Sequence, residues 1–123
     1  MSMHLTLKRT KKLVSAINTL DDKSNHKSLI NFRRTVYGFK ILIIVMNTFL
    51  DEDSREICTK EYLTKQSSTL ASRATIINFI NDQVSSGTLM ASSSLIDGRI
   101  KIITPSNALL QDYDNWLEYI SNL

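Results

Sequence analysis

Leu5, Leu13, Ile17 and Leu20 fall on one side of a helical repeat, with lysines between them. The spacing predicts a first helix over residues 5–20. Asp21-Asp22-Lys23-Ser24-Asn25 ends it, because short polar side chains favour a turn and a new N-cap. A second helical stretch over residues 26–34 carries Leu29, Ile30 and Phe32. Residues 36–50 admit two readings. Ile41, Ile43, Ile44 and Val45 are β-branched and suit a buried strand. The apolar run is long for one strand, however, and meets no turn residues before Asp51-Glu52-Asp53-Ser54. A core helix is the better fit.

Beyond the acidic loop, Thr59 is a suitable N-cap for a short helix containing Tyr62 and Leu63, followed by the polar turn Gln66-Ser67-Ser68-Thr69. Ser72 then caps the most regular helix in the chain, residues 73–86, and Gly87 follows where a left-handed C-cap is wanted. Ile76, Phe79, Ile80 and Val84 mark its inner face, while Thr75, Asn78, Asp82 and Ser85 mark a polar outer face. Two strands follow, over residues 89–95 and 99–103, around the hairpin signal Ile96-Asp97-Gly98, in which Asp-Gly accepts positive φ cheaply. On the second strand Arg99, Lys101 and Ile103 share one side, and Ile100 and Ile102 the other. Thr104-Pro105 reads as the cap and first turn of a last helix, with Leu109, Leu110, Trp116, Leu117 and Ile120 as its apolar surface.

Composition agrees with this layout. Three glycines and one proline in 123 residues favour helices over a turn-rich β-sandwich, and 42% apolar residues suffice for a core. The length suits one domain. The single cysteine, Cys58, rules out an internal disulfide and fits a reducing compartment. No secretory stretch follows the basic start, and the most apolar run is too short to cross a bilayer, so a cytoplasmic protein is expected.

The net charge of +3 is unevenly spread: residues 1–40 hold nine basic side chains against Asp21 and Asp22, whereas the C-terminal stretch holds Asp112, Asp114 and Glu118 alone. Such a surplus permits nucleic-acid binding without requiring it. His4 and His26 stand apart from any metal-ligand partner, no Gly-rich phosphate loop exists, and no Ser/His/Asp or Cys/His set can be assembled. The expectation is therefore no catalytic residues, no metal and no cofactor. Cys58 precedes a helix N-terminus beside Lys60, yet a half-buried structural thiol explains it better than redox sensing. Tyr113 and Trp116 read as dimer core rather than a ligand cage.

The order helix, turn, polar-faced helix, hairpin, helix is that of a winged helix-turn-helix, and here the chain resembles the MarR family of bacterial transcriptional regulators. Ser72-Arg73-Ala74-Thr75-Ile76 resembles the opening of that family's recognition helix, with Gly87 closing it. Asp97-Gly98-Arg99 resembles its D-x-R wing motif, and Ile102-Ile103-Thr104-Pro105 the strand end and next helix start. The expected fold is mainly α with a small β-hairpin (α+β): N-terminal helices over 1–58, a DNA-binding helix-turn-helix and wing over 59–104, and a C-terminal helix over 105–123.

The resemblance implies a sequence-specific regulator of double-stranded DNA, with the recognition helix in the major groove and the wing on backbone or minor groove. Ser72, Arg73, Thr75 and Asn78 have side chains able to read base edges, and Arg99 would reach a phosphate or the minor groove, held by Asp97. Lys65 and Lys101 suit phosphates, with Ser68 in the turn beside them. Two half-sites call for a homodimer, expected through the terminal helices, and a small-molecule effector is a further partner the resemblance suggests. Gln83 stands where the family has an apolar residue, Ile77 where it has a polar one, and residues 89–97 hold no Lys or Arg. These departures support an alternative, a winged-helix protein-interaction module that has lost DNA binding. An RNA-binding winged domain is a third reading.

Overall fold

The computed structural model describes residues 2–21 and 26–123. Helix α1 spans Met3–Asn18 and runs into a short 3-10 turn, Thr19–Asp21. The turn and cap expected at residues 22–25 lie outside the described residues. A 3-10 turn at Lys27–Leu29 leads into α2, Ile30–Arg33, so the second helical stretch is real but broken in two. Then follow α3 (Val36–Leu50), α4 (Lys60–Gln66) and α5 (Arg73–Ser86). The hairpin β1 (Leu89–Ser93) and β2 (Lys101–Pro105) precedes α6 (Asn107–Ser121).

The ambiguous stretch is a helix. Ile41, Leu42, Val45 and Met46 are all buried, which is a helical spacing that a strand could not bring to one side. Thr35 caps α3 by accepting from the Gly38 amide at 3.0 Å. Gly38 is there for close approach: a Cβ would sit 2.8 Å from Thr35 Oγ1 and 3.2 Å from Phe79 Cζ. Phe79 of α5 fits into that space, its ring edge-on to Phe32 at 5.5 Å and to Tyr37 at 5.6 Å. With Ile76 and Ile80 wholly buried on either side, α5 is fixed in rotation about its axis. Each such side chain contributes about 1.5–3 kcal/mol by leaving water.

The core joins α2 to α6 through Leu29, Phe32, Leu63, Leu89, Ile103 and Leu109, among others. Gln83 belongs to it too. Its Oε1 accepts from the Thr88 hydroxyl at 2.8 Å, which satisfies a polar group where an aliphatic one was expected. Gly87 ends α5 at φ 83°, as a left-handed C-cap requires.

Three expectations are corrected around the hairpin. The strands pair Leu89 with Pro105 through Ser93 with Lys101, so residues 94–100 form the connection. Asp97-Gly98 is therefore no tight two-residue turn, and Gly98 does not take positive φ. Arg99 lies in that connection rather than on the strand beside Lys101 and Ile103. Thr104 and Pro105 finish β2 instead of opening α6, whose cap is Ser106, accepting from the Leu109 amide at 3.2 Å. The proline fits the strand end because its missing N–H is no loss there.

Tyr113 and Trp116 are buried within the single chain rather than reserved for a dimer. Trp116 packs edge-on to Phe39 at 5.9 Å and donates to Thr19 Oγ1 at 2.8 Å. Asp112 accepts from the amide and hydroxyl of Ser28, at 3.1 and 2.6 Å. Helix α1 itself buries no residue at all.

Candidate nucleic-acid interface

The helix-turn-helix is α4, the turn through Ser67–Ala71, and α5. Thr59 caps α4 by accepting from the Tyr62 amide at 3.1 Å, as the sequence suggested. The turn is drawn in by Ser67, whose amide donates to Leu63 O and whose side chain is completely buried. Ser72 caps α5, accepting from the Thr75 amide at 3.2 Å and donating to Thr75 Oγ1 at 2.9 Å. Two of the proposed contact residues are thus spent partly on organising the helix start. Both remain exposed, at the positive end of the helix.

With the Phe79 side of α5 held in the core, Thr75, Asn78, Asp82 and Ser85 all face outward and exposed. Ile77 is half-buried, so it is not a freely presented contact. Arg73, at the first position of α5, is exposed but not free. Its Nη1 donates to Glu61 Oε2 at 2.7 Å and its Nη2 to Glu61 Oε1, a two-bond pair across the helix-turn-helix. The hydrogen bond to Arg73 holds the Glu61 carboxyl below its ordinary value, and the same bond raises Arg73. Glu61 was missed because twelve residues separate it from Arg73, and no local spacing reveals a contact made by two helices crossing. Lys65 and Ser68, both exposed, line with Tyr62 and this pair a shallow cleft of about 450 Å³ between α4 and α5.

The wing presents the second half of the site. Asp97 Oδ1 accepts from the Arg99 amide at 3.0 Å and from its Nε at 3.3 Å, as expected of a carboxylate holding this arginine. The backbone bond first, then the side-chain bond, holds the Asp97 carboxyl below its usual range. The Arg99 side chain is still 92% exposed. Lys101 reaches across the hairpin to Ser93 Oγ at 2.8 Å. The tip itself is apolar: Leu95 and Ile96 are essentially fully exposed, because β1 ends at Ser93 rather than including Leu95.

Cys58 is buried, and desolvation pushes its thiol up, with the Thr48 hydrogen bond pulling weakly the other way. Its carbonyl accepts from the Ile103 amide at 2.7 Å, tying the entry to α4 to the base of the wing. A second cavity, about 490 Å³, lies between the end of α3 and α6 and is lined by Leu50, Leu110, Tyr113, Asp114 and Leu117. Among the described residues no three His, Cys, Asp or Glu side chains are placed to hold a metal ion. No helix among them is long and apolar enough to cross a membrane.

No protein-family model and no curated protein matches the chain in sequence. Solved structures do resemble it. BpsR of Bordetella bronchiseptica, whose DNA binding is regulated by 6-hydroxynicotinic acid, gives a TM-score of 0.49 at 17% identity, over 99% of this chain and 77% of that one. PefR in its haem-free form gives 0.46 at 13%, over 95% and 97%. CouR from Rhodococcus jostii, solved with p-coumaroyl-CoA bound, gives 0.52 at 14%, over 98% and 74%. The element order and the last of these likenesses establish the fold: a mostly helical chain with one antiparallel hairpin, arranged as a winged helix-turn-helix.

Proposed function

We propose that the chain is a MarR-like transcriptional regulator that binds double-stranded DNA as a homodimer, with α5 in the major groove and the hairpin on the backbone or minor groove. One observation carries the reading: α5 is locked by Phe79 with its short polar side chains outward, beside a hairpin that presents a largely exposed Arg99. Thr75 and Asn78 have the size and donor–acceptor chemistry to read base edges, Asn by pairing with adenine. Lys65, Ser68 and Lys101 flank them as backbone contacts.

The dimer rests on α1. Met3, Leu7, Leu13, Val14 and Ile17 are exposed on a helix that buries nothing in its own chain. That helix carries Lys8, Arg9, Lys11 and Lys12 with no acid, whereas α6 carries Asp112, Asp114 and Glu118 with no base. A second copy can therefore cover apolar surface and match charge at once. Two such copies would present their recognition helices to half-sites roughly 34 Å apart. The cavity between α3 and α6 suits a small, partly apolar effector, as CouR's binding of p-coumaroyl-CoA within a similar fold suggests. A non-enzymatic, cytoplasmic role goes with this reading.

The apolar hairpin tip, Leu95 and Ile96, favours a second reading, a winged-helix interaction module without DNA affinity. Titration against random-sequence duplex at two salt concentrations separates the two. Binding that weakens steeply with salt supports the regulator, and its absence at low salt leaves the interaction module. Selection of bound fragments from genomic DNA would then give the operator.

A further inference from the structure

We propose that Glu61 is a specificity determinant of the DNA-binding face, neutralising Arg73 towards phosphates in general while aiming it at a base edge. The inference rests on the regulator reading above.

Glu61 sits in the first turn of α4 and Arg73 in the first turn of α5, both at the open cleft between these helices. Their side chains are 67% and 60% exposed, so the pair lies on the surface that would meet a duplex rather than within the core. Charge in a non-specific complex is counted phosphate by phosphate, each neutralising cation adding to affinity and to salt dependence. A guanidinium already bonded through two nitrogens to a carboxylate brings no net charge to that count. Non-specific attraction is lowered accordingly.

The pairing has a second consequence. Glu61 takes the Nη1–Nη2 end of the guanidinium, one hydrogen from each nitrogen. Arginine has five N–H donors in a planar fork, so the Nε–Nη2 edge keeps two parallel donors. That edge matches guanine O6 and N7, and the carboxylate holds the fork in one plane while it is used. Guanine is neutral, so this contact does not need the charge that Glu61 cancels. One carboxylate thus weakens binding everywhere and preserves it at a matching base.

Three variants test this with random-sequence duplex and with the tightest selected duplex, over about 50 to 200 mM salt. Glu61→Gln should steepen the log–log salt slope on random duplex by about 0.9, roughly a three-fold greater loss of affinity across that range, and should lower the selected-to-random affinity ratio. In the double variant Glu61→Gln with Arg73→Gln the added slope should vanish. Glu61→Asp keeps the charge but shortens the reach, so it should lose selectivity with the wild-type slope. A Glu61→Gln protein that binds duplex with unchanged slope and ratio overturns the inference and leaves the regulator reading intact. Added slope that persists in the double variant overturns it as well. Wild-type protein without salt-dependent duplex binding overturns both.

Discussion

Arg73 and Arg99 are both exposed arginines beside a glutamate and an aspartate, and their different bonding suits them to different roles in the proposed DNA contact. The Glu61–Arg73 pair is a close two-bond fork between two helices, whereas Arg99 meets Asp97 within one loop through longer bonds of 3.3 and 3.4 Å, which a phosphate can displace. Arg99→Ala is expected to weaken all duplexes alike and flatten the salt slope by about 0.9. Arg73→Ala should instead relax preference at one base pair, by about 1–3 kcal/mol of discrimination, measured by competition between selected and single-mismatch duplexes. Cys58 offers a contrast in the core. Burial raises its thiol pKa in the folded chain, so its contribution to stability is complete below the unfolded thiol value and is lost as pH rises through the folded one. A thiol reagent at mildly alkaline pH should leave Cys58 unmodified until denaturant is added.

Helix α5 is defined at both ends by single residues, and each can be tested separately. Ser72→Ala removes the side chain that accepts from the Thr75 amide and should cost about 1 kcal/mol in urea unfolding. Gly87→Ala meets no neighbour within 4 Å, so any loss comes from backbone strain at positive φ alone, about 1–2 kcal/mol. These capping signals are local, which is why the bounds of α5 could be read from the chain. The hairpin is harder. Its register is decided by Ile103 packing into the core and donating to Cys58 O, contacts that no turn dipeptide encodes. Asp97-Gly98 consequently serves to hold Arg99, inside a longer connection braced by Ser94 N to Ile100 O at 2.8 Å.

The molecule as a whole divides into a packed body and a helix that takes little part in it. Because α1 buries no side chain, charging its apolar side should leave the fold intact while abolishing the proposed association. Leu13→Asp with Ile17→Asp is expected to sediment as monomer, with an unchanged near-UV spectrum and a marked loss of affinity for a two-half-site operator. A variant that stays dimeric would move the proposed interface elsewhere. Trp116 is the joint between the two parts, packed on Phe39 and bonded to Thr19. Its burial, with that of Tyr113, leaves α1 as the larger exposed apolar surface, beside Leu117 and Tyr119 of α6.

Local chemistry alone determined much of this protein. Caps at Thr59 and Ser72, the terminal Gly87 and the apolar runs place α3, α4 and α5, because these signals act over a few residues and need no distant partner. The outward polar face of α5 follows from the same periodicity. Only the folded chain decided which atoms that face leaves available. Glu61 meeting Arg73, Gln83 satisfied by Thr88, Pro105 closing a strand and Trp116 turning inward all depend on segments that are apart in sequence and brought together by packing. Side-chain partners chosen by tertiary approach leave no trace in spacing, and the character of the proposed DNA face rests on one of them.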